Sequence, residues 1–475
     1  MIFEKVVSVG LAQNSYLVGS EGFAAVIDPR RDIDVFLDLA REKELRITHV
    51  FETHRNEDYL VGSLELARVT GCEIHHGSRL AFGYGKPVGE GDRFRVGSLD
   101  LGILETPGHT EESISLVLSD TDVSGLPLMV FSGDALFAGE VGRTDFYPDR
   151  REEVAGELFD SLHRKILPLG DGVVVCPAHG GGSVCGADIS DLPLTTIGYE
   201  KETNPVLRLD RGSFVRRKVA ERNHFPPYFS TMERLNQAGP PGLAWPLSIP
   251  TLSVGQVKAL REKGAQLVDI RSPSSFAGGH VPGSLHVWRE GLSAFAGYFL
   301  NYEDPIVVID DFNQNLGEVR RQFARLGYDN LAGCLGGGFM AWAKAAEPVG
   351  TVKTWTVHEL KGRLGDPSLY LLDLRDEPSY RKHGHLPGDH QVYAGEVRSF
   401  ICRVPEGKEI ACFCDSGYKS SIAASVLLGE GYRDVVVVLG SMAAWEKAGY
   451  PVEREPGEGE DAPSGGSAVP EIGPS

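Results

Sequence analysis

The chain has 475 residues, which at roughly 150 residues per domain predicts about three domains. Its 47 basic and 66 acidic side chains leave a net charge of −19, which disfavours nucleic acid and anionic membranes as partners, because both bind basic surfaces. No stretch approaches the roughly 18 apolar residues of a membrane-spanning helix, so we expect no membrane partner.

Glycine, proline and cysteine narrow the class of protein further. The 58 Gly and 28 Pro residues indicate frequent turns, and therefore short strands and loops rather than long helices. Seven Cys residues, an odd number without Cys-x-x-Cys spacing, are typical of free thiols in a reducing compartment. Because the first residues also lack a charged-then-apolar leader, we predict a cytoplasmic protein.

Residues 1–240 are predicted to form the first domain, and residues 1–125 alternate between strand-like and helix-like patterns. An apolar run at 24–27, helical spacing of apolar residues at 33–40 and a β-branched run at 47–51 predict a β-α-β unit. Further strands are predicted at 113–118, 127–131 and 173–176, with a helix at about 151–166. Residues 224–250 hold many Pro, Gly and Asn and predict a linker that wraps this domain.

Beyond the linker the chain repeats itself once. Similar segments recur at offsets of 103 to 105 residues: Leu267–Arg271 and Leu371–Arg375, His280–Gly283 and His385–Gly388, Gly327–Tyr328 and Gly431–Tyr432, and Gly337–Trp342 and Gly440–Trp445. Each copy is predicted to be a small three-layer α/β domain with a parallel sheet, at residues 250–350 and 355–453. Residues 454–475 are Glu, Gly, Pro and Ser with little to bury, and we predict a disordered tail.

Side chains of the type that binds metal ions occur in four loops of the first domain, each after a predicted strand. These are His54 and Asp58 in T-H-R-N-E-D-Y, His109 in T-P-G-H, Asp134 in S-G-D-A and His179 in P-A-H-G. In order, spacing and flanking residues, the loops resemble those of the metallo-β-lactamase fold, whose motif is H-x-H-x-D-H followed by Pro-Gly-His, Gly-Asp and His-Gly. The resemblance implies an αββα sandwich over about residues 1–240.

The first motif departs from that pattern, because Asn56 and Tyr59 stand where the family has its second and third histidines. A two-zinc hydrolase needs those histidines to fill both metal sites. The resemblance therefore leaves one complete site, formed by His54, His109 and Asp134. Two imidazoles and one carboxylate are the facial triad of non-haem iron oxygenases, so we predict one Fe(II) per chain, with zinc as the alternative metal.

This ligand set resembles the persulfide dioxygenase branch of the fold, which also carries a Gly-Arg-Thr-Asp like that at 142–145. The resemblance implies that Arg143 lies near the substrate pocket and holds an anionic substrate. It also implies that Asp58 and His179 orient the metal ligands. His75 and His76 lie outside the motif and are predicted to be structural.

A second reactive centre is predicted in the second repeat. A buried-type strand at 409–413 runs into the loop Cys414-Asp415-Ser416-Gly417-Tyr418-Lys419 and then a helix. Loop N–H groups, the helix N-terminus and Lys419 would stabilise a thiolate at Cys414 and bind a sulfur anion. Cys412 alternates with Cys414 along the strand and is predicted to lie in the core.

This loop resembles the rhodanese active-site loop C-x-x-G-x-R-S, with Lys419 in place of the usual Arg, which keeps the charge and loses the bidentate fork. The resemblance implies a nucleophilic Cys414 that carries a sulfane sulfur. In the first repeat the corresponding residues are Asp310 and Asn315, so that copy is predicted to be an inactive rhodanese that acts as a spacer or docking surface. Cys185 in the first domain is a possible sulfur acceptor, although a structural role is the more common one for such a cysteine.

Together these features predict a persulfide dioxygenase with thiosulfate sulfurtransferase activity. A thiol persulfide, such as glutathione persulfide, and O2 would give sulfite, and the Cys414 persulfide would form or use thiosulfate. The thiol carrier, the direction of sulfur transfer, channelling between the sites and the oligomeric state, dimer or tetramer, stay open. Two alternatives are a zinc thioester hydrolase of the glyoxalase II type and a non-catalytic sulfur-carrier scaffold.

Overall fold

The computed structural model describes residues 1–8, 10–183, 189–243 and 248–454. Cys185 and almost all of the tail predicted to be disordered lie outside these residues. The chain divides into two compact units, Met1–Thr351 and Val352–Ser475. The first therefore contains the first repeat as well as the segment before it, whereas the second contains the second repeat alone. The three-domain division at 1–240, 250–350 and 355–453 stays a prediction.

The N-terminal part of the first unit contains two six-stranded sheets, with strand orders β1-β2-β3-β4-β5-β6 and β12-β11-β10-β9-β8-β7. The strands of the first sheet are β1 (Ile2–Ser8), β2 (Gln13–Ser20), β3 (Phe23–Ile27), β4 (Arg46–Glu52), β5 (Glu73–Gly77) and β6 (Lys86–Val88). Those of the second are β7 (Arg93–Val96), β8 (Leu99–Glu105), β9 (Ile114–Asp120), β10 (Met129–Gly133), β11 (Val174–Pro177) and β12 (Thr195–Thr196).

The inner faces of these sheets pack against each other, and helices cover the outer faces. The helices are α1 (Asp34–Glu42), α2 (Ser63–Thr70), α3 (Arg151–Ser161, continued by a π-helix at Leu162–Ile166), α4 (Ile197–Thr203), α5 (Arg211–Ala220) and α6 (Phe229–Ala238). One apolar core joins Val18 and Phe51 of the first sheet to Leu116 and Phe131 of the second. This αββα sandwich confirms the predicted fold, because apolar alternation along each strand buries one face between the sheets and the other under helices.

The predicted linker at 224–250 contains a helix, which the sequence pattern missed. Helix α6 buries Phe229, Met232 and Asn236, whose spacing of three and four residues places them on one helix face. One of the three is polar, and for that reason the apolar period is too weak to detect.

The first repeat, in the same unit, forms a five-stranded parallel sheet of order β13-β17-β16-β14-β15. Its strands are β13 (Thr251–Leu252), β14 (Gln266–Asp269), β15 (Leu285–His286), β16 (Ile306–Ile309) and β17 (Leu331–Leu335). Its helices are α7 (Val254–Glu262), α8 (Pro273–Gly278), α9 (Leu292–Phe299), α10 (Leu316–Arg325) and α11 (Gly338–Lys344).

The second unit has the same plan, a parallel sheet of order β18-β22-β21-β19-β20. Its strands are β18 (Lys353–Trp355), β19 (Leu369–Asp373), β20 (Asp389–Gln391), β21 (Glu409–Phe413) and β22 (Val435–Val438). Its helices are α12 (Val357–Arg363), α13 (Glu377–His383), α14 (Val397–Phe400), α15 (Tyr418–Gly429) and α16 (Ser441–Lys447). The matching orders confirm that the sequence repeat is a repeat of structure.

Across the described ranges, helices that are both long and apolar enough to cross a membrane are not found.

Candidate active sites

The loops that carry the predicted metal ligands meet at one edge of the sandwich. Strands β8, β10 and β11 run in the same direction, since β9 is antiparallel to β8 and β10, and β11 is parallel to β10. Their ends therefore bring His109, Asp134 and His179 to the same edge. The Ile114 N–H donates to the Thr53 carbonyl at 2.7 Å, which joins the loop after β4 to that edge.

His54 is oriented by the residue before it. Thr53 donates its hydroxyl proton to Asp28 Oδ2 at 2.8 Å, so the Thr53 oxygen accepts from His54 Nδ1, 2.9 Å away. The proton of the neutral imidazole is thereby assigned to Nδ1, and Nε2 keeps its lone pair. Among the described residues Nε2 has no hydrogen-bond partner, although it is buried.

His109 is oriented in the same way by a different partner. Its Nδ1 donates to the carbonyl of Arg143 at 3.0 Å, which leaves Nε2 as the lone-pair nitrogen. Asp134 Oδ2 lies 3.4 Å from this Nε2 and 3.8 Å from that of His54. In the described structure both this carboxylate oxygen and His109 Nε2 are buried without a hydrogen bond. Three orphaned donor atoms thus converge, which is the arrangement that a metal ion satisfies.

Glu57 is a fourth member of this group, and the sequence analysis did not select it. Its carboxylate oxygens lie 3.2 Å from His109 Nε2 and 3.9 Å from His54 Nε2. The donor atoms of Glu57, His54, His109 and Asp134 all lie within 4.8 Å of one another. Burial opposes ionisation of Glu57, but the neighbouring His109 and His54 outweigh it and lower the pKa of the carboxyl group. The loop therefore offers an ionised carboxylate that the family motif does not place there.

His179 bridges two carboxylates rather than pointing into the group. Its Nδ1 donates to Asp134 Oδ1 at 2.8 Å and its Nε2 to Asp58 Oδ2 at 3.0 Å. Burial works against a charged ring, but Asp134 and Asp58 outweigh it and raise the pKa of His179 well above its usual value. A charged His179 fixes Asp134 with its other oxygen facing His54 and His109, which is the orienting position predicted for His179 and Asp58.

Asn56 and Tyr59, which replace the family's histidines, both donate hydrogen bonds to backbone carbonyls. Asn56 donates from its side chain to the His54 carbonyl at 3.0 Å, and its positive φ of 51° is one that asparagine tolerates. The Tyr59 hydroxyl donates to the Asp28 carbonyl and accepts from Gln13 Nε2 at 3.2 Å. Both side chains stabilise the loop, which is consistent with a single metal position.

Glycine is required at two points of this edge. A Cβ on Gly142 would lie 1.9 Å from the Asp134 carbonyl oxygen, and one on Gly133 would lie 2.6 Å from Thr53 Oγ1. Gly133 also has a positive φ of 53°. The backbones that carry Asp134 and His54 can therefore approach each other only without side chains at these positions.

Segments far along the chain hold the loop after β4 in place. Asn236 of α6 donates to the carbonyls of Asn56 and Tyr59 at 2.7 and 2.8 Å and accepts from the Val61 N–H. The Leu60 N–H donates to the carbonyl of Arg325, the last residue of α10, at 2.7 Å. Both the predicted linker and the first repeat thus contact the loop after β4, which carries the candidate ligand His54.

The guanidinium group of Arg143 is buried and hydrogen-bonded within the protein. It donates to both Asp145 oxygens, at 2.6 and 2.8 Å, and its charge lies over the ring of Phe146. Its carbonyl orients His109 at the same time. The role predicted for Arg143, substrate binding, stays a prediction, and the structure adds a positioning contact.

Cys414 lies between the end of β21 and the start of α15, as the sequence predicts. Its sulfur accepts from the Gly417 N–H at 3.1 Å and lies 3.7 Å from Ser420 Oγ. Gly417 has a φ of 99°, a conformation that glycine adopts readily. The thiol therefore faces the loop N–H and the first turn of α15, where a thiolate is stabilised. Cys412 is buried in the core, as expected.

Lys419 is less available to a substrate anion than its sequence position suggests. Its ammonium group lies 3.0 Å from Asp415 Oδ2 and 3.3 Å from Asp376 Oδ2. Burial opposes the charge, but these carboxylates outweigh it and raise the pKa of Lys419. Asp415 is held in turn by Ser379 at 2.5 Å, whereas Ser416 and Tyr418 are exposed at the loop surface.

Comparisons with known proteins agree with this architecture. The metallo-beta-lactamase superfamily model matches residues 9–179, and the rhodanese-like domain model matches 253–345 and 356–448. The mouse mitochondrial persulfide dioxygenase ETHE1 is 31% identical over 221 residues, which cover 45% of this chain and 77% of that protein. A hydroxyacylglutathione hydrolase of Rhizobium johnstonii is 30% identical over 226 residues, covering 42% of this chain and 83% of the hydrolase.

A crystal structure of a metallo-beta-lactamase from Staphylococcus aureus subsp. aureus COL is similar over a longer stretch. It has a TM-score of 0.64 and 30% identity, and the match covers 70% of this chain and 98% of that one. The chain therefore belongs to the metallo-beta-lactamase superfamily, and its lactamase-fold domain with persulfide dioxygenase homology, followed by two rhodanese-like domains, has the architecture of a persulfide dioxygenase–rhodanese fusion.

Proposed function

We propose that this protein oxidises a low-molecular-weight thiol persulfide, such as glutathione persulfide, to sulfite at a mononuclear Fe(II), and transfers sulfane sulfur through Cys414. The observation that carries the proposal is the convergence of His54 Nε2, His109 Nε2 and Asp134 Oδ2, all buried and without hydrogen-bond partners among the described residues. The similarity to persulfide dioxygenases and the rhodanese-like domains support a role in sulfur metabolism.

The donor set fits the proposed metal. Imidazole and carboxylate ligands suit Fe(II), and two imidazoles with one carboxylate leave positions for two further molecules. Fe(II) held by His54, His109 and Asp134 would supply the activation of dioxygen that no side chain provides. Glu57 is close enough to serve as a further ligand or to accept a proton from the thiol of an arriving persulfide.

The surrounding residues have defined tasks in this proposal. Thr53 and the Arg143 carbonyl fix the tautomers of His54 and His109, and the charged His179 holds Asp134 through one oxygen. Asn56 and Tyr59 are buried beside the ligands, bonded to the carbonyls of His54 and Asp28, and so help to keep bulk water from the loop.

The second unit would supply the sulfurtransferase step. The Cys414 thiolate attacks the outer sulfur of thiosulfate, the S–S bond of thiosulfate breaks, and sulfite leaves with the bonding electrons. In the reverse direction the Cys414 persulfide passes its outer sulfur to sulfite, the product of the first domain. The Gly417 N–H, 3.1 Å from the sulfur, would stabilise the negative charge on the cysteine in both directions.

The thioester-hydrolase alternative is supported by the hydroxyacylglutathione hydrolase relative but not by the site. A second metal ion would require Asp58 and His179 to turn towards it, and they instead bond each other at 3.0 Å. Asn56 and Tyr59 supply no replacement imidazole. These observations favour one metal ion over two.

The test is anaerobic loading of the full chain with Fe(II), followed by oxygen uptake with glutathione persulfide. We expect iron-dependent oxygen uptake and sulfite formation, and loss of both in Asp134→Ala. The zinc-loaded protein serves as the control and should consume no oxygen. Iron-loaded protein that takes up no oxygen would contradict the proposal, and so would rapid thioester hydrolysis by the zinc-loaded protein.

A further inference from the structure

A second group of side chains that can bind a metal ion lies on the first sheet. Its members lie within strands, whereas the candidate active site lies in the loops that follow strands. His49 belongs to β4, and Glu73 and His75 to β5. His49 is paired directly with Glu73 across the two strands, and Phe51 with His75. Because side chains alternate along a strand, the three residues share one face, and their donor atoms lie within 4.8 Å of one another.

His75 is the residue that needs an explanation. Its side chain is 2% exposed, and neither of its ring nitrogens has a hydrogen-bond partner in the described part of the chain. It packs between aromatic rings, with centroid distances of 5.0 Å to Phe51 and 4.4 Å to Phe94. A phenylalanine would fill this space without burying polar atoms, so an orphaned imidazole here indicates a partner other than a side chain.

His49 is oriented as His54 is, by a threonine before it. Thr48 donates its hydroxyl proton to the Ala24 carbonyl at 3.2 Å, so its oxygen accepts from His49 Nδ1 at 2.9 Å. The lone pair of the ring is thereby left on Nε2. The same threonine–histidine arrangement thus occurs twice in β4 and the loop after it, once at the candidate active site and once here.

Glu73 divides its two oxygens between two neighbours. Oε1 accepts from Lys86 at 2.7 Å, whereas Oε2 lies 3.8 Å from His75 Nε2. The oxygen that faces the histidines is therefore not the one that Lys86 holds. Lys86 lowers the pKa of Glu73, and burial lowers that of His75 to about 4.

We propose that His49, Glu73 and His75 form a second, non-catalytic site for one divalent transition-metal ion of the zinc type. Two imidazole nitrogens and one carboxylate oxygen, with water as the fourth ligand, are a common zinc set, whereas Mg²⁺ and Ca²⁺ prefer oxygen ligands alone. The ligands come from two neighbouring strands, so the ion ties β4 to β5 where Phe94 of the second sheet packs on them. Its role is to stabilise this end of the sandwich.

The experiment measures zinc binding by the full chain in a background, His109→Ala with Asp134→Ala, that disables the candidate active site. We expect this background to bind one Zn²⁺ per chain in a titration against a chelator. His75→Phe should abolish the binding, and Glu73→Gln should weaken it by more than about tenfold, since even indirect partners of metal ligands contribute that much. Glu347→Gln, which also removes a carboxylate bonded to a lysine (Lys258, 2.6 Å), should change nothing.

A second readout uses Co²⁺ in place of zinc, because its visible absorption reports nitrogen and oxygen coordination directly. We expect the absorption in the background protein and its loss in Glu73→Gln. Because Glu73 is half exposed, this variant remains informative if His75→Phe fails to fold. Absence of zinc from the background protein would overturn the proposal, as would zinc binding that neither substitution weakens.

Discussion

The two rhodanese-like repeats have the same frame and different surfaces. Both keep a buried Asp–Arg pair at the end of a central strand, Asp269 with Arg271 and Asp373 with Arg375, each at 2.6 Å. In both, the arginine also donates to a glycine carbonyl, that of Gly279 or Gly384. The frame is kept because an unpaired buried charge would destabilise either copy.

The active-site loop is the first place where the copies differ. The carbonyl of Asp310 accepts from the Phe339 N–H as that of Cys414 does from Met442, which confirms that Asp310 and Cys414 occupy corresponding positions. Yet α15 begins four residues after Cys414, whereas α10 begins six residues after Asp310. The first copy therefore lacks both the sulfur and the helix start that would stabilise it, and Arg289 pairs with Asp310 at 3.0 Å instead.

The helix that follows is the second difference. In the first copy Arg325 donates to Asp32 at 2.8 and 2.7 Å, and Asp329 accepts from Arg31 through both oxygens at 2.8 Å. The corresponding residues of the second copy are Gly429 and Arg433. One copy thus presents a docking face for the lactamase-fold domain, whereas the other presents the loop that carries Cys414, so local changes distinguish two copies of one fold.

Removal of the nucleophile should have the largest effect on this comparison. We expect Cys414→Ser to lower thiosulfate sulfurtransferase activity by more than about a thousandfold, because Cys414 is the nucleophile of the proposed transfer. Cys402→Ser, at an exposed cysteine of the same unit, is the control and should keep full activity. Activity retained in Cys414→Ser would show that another residue is the nucleophile.

The second-largest effect is expected from removal of the Arg325 charge, which pairs with Asp32 of the lactamase-fold domain. Arg325→Met leaves Asp32 buried with only partial compensation from Arg30 and Arg321, so the first unit should lose about 3 kcal/mol of stability. Hydrogen exchange of α10 and of the loop at 53–62 would measure the loss. The matched variant Arg433→Met, at the exposed counterpart of Asp329, should lie within about 0.5 kcal/mol of wild type. Equal effects would contradict a specific docking face.

Acid should affect the two copies differently through His286. Burial lowers the pKa of His286 to about 4. Between pH 6.5 and pH 4 this histidine is therefore protonated in the unfolded chain but neutral in the folded one. Stability is therefore lost as the pH falls from 6.5 to 4, by about 2 kcal/mol at pH 5.

The second copy supplies the variant that tests this. Gln391 donates to the Arg375 carbonyl at 2.7 Å as His286 does to that of Arg271 at 2.9 Å. His286→Gln should keep the bond and reduce the loss of stability between pH 7 and pH 5 by about 2 kcal/mol in denaturant unfolding. His358→Gln, at an exposed histidine of the second unit, should not. An unchanged pH dependence in His286→Gln would show that other groups cause the loss.

The smallest effect is expected from an attempt to convert one copy into the other. In a Cys414→Ser background, Asp310→Cys should give less than about 1% of the second copy's sulfurtransferase activity. The new thiol would still lack a nearby helix N-terminus, since α10 begins only at Leu316, and Asn315 supplies no positive charge in place of Lys419. Substantial activity in this variant would mean that the thiol alone, and not its loop, limits the first copy.

Much of this organisation could be predicted from local patterns. The repeat, the parallel sheets and the position of Cys414 before a helix follow from residue types at fixed distances along the chain. The grouping of His54, His109 and Asp134 instead rests on the resemblance of four loops to the metallo-β-lactamase motif. Glu57 was missed although it stands beside Asp58, because no period or family position marks it. Asn236 and Arg325 were missed because their contacts with the loop at 53–62 join residues more than 170 positions apart.

The sequence alone therefore determined several of the strands, such as those at 24–27, 47–51 and 409–413, and that one unit occurs twice, since these depend on alternation and repetition. Strand ends together with the family motifs indicated which loops carry the candidate site residues. Only the tertiary structure decided how the charges are paired. It set His179 between two carboxylates, turned Lys419 towards Asp415 and Asp376, and packed the first repeat against the metal-type loop. Ion pairs and hydrogen bonds depend on distances of a few ångströms between remote segments, and such distances exist only after the chain has folded.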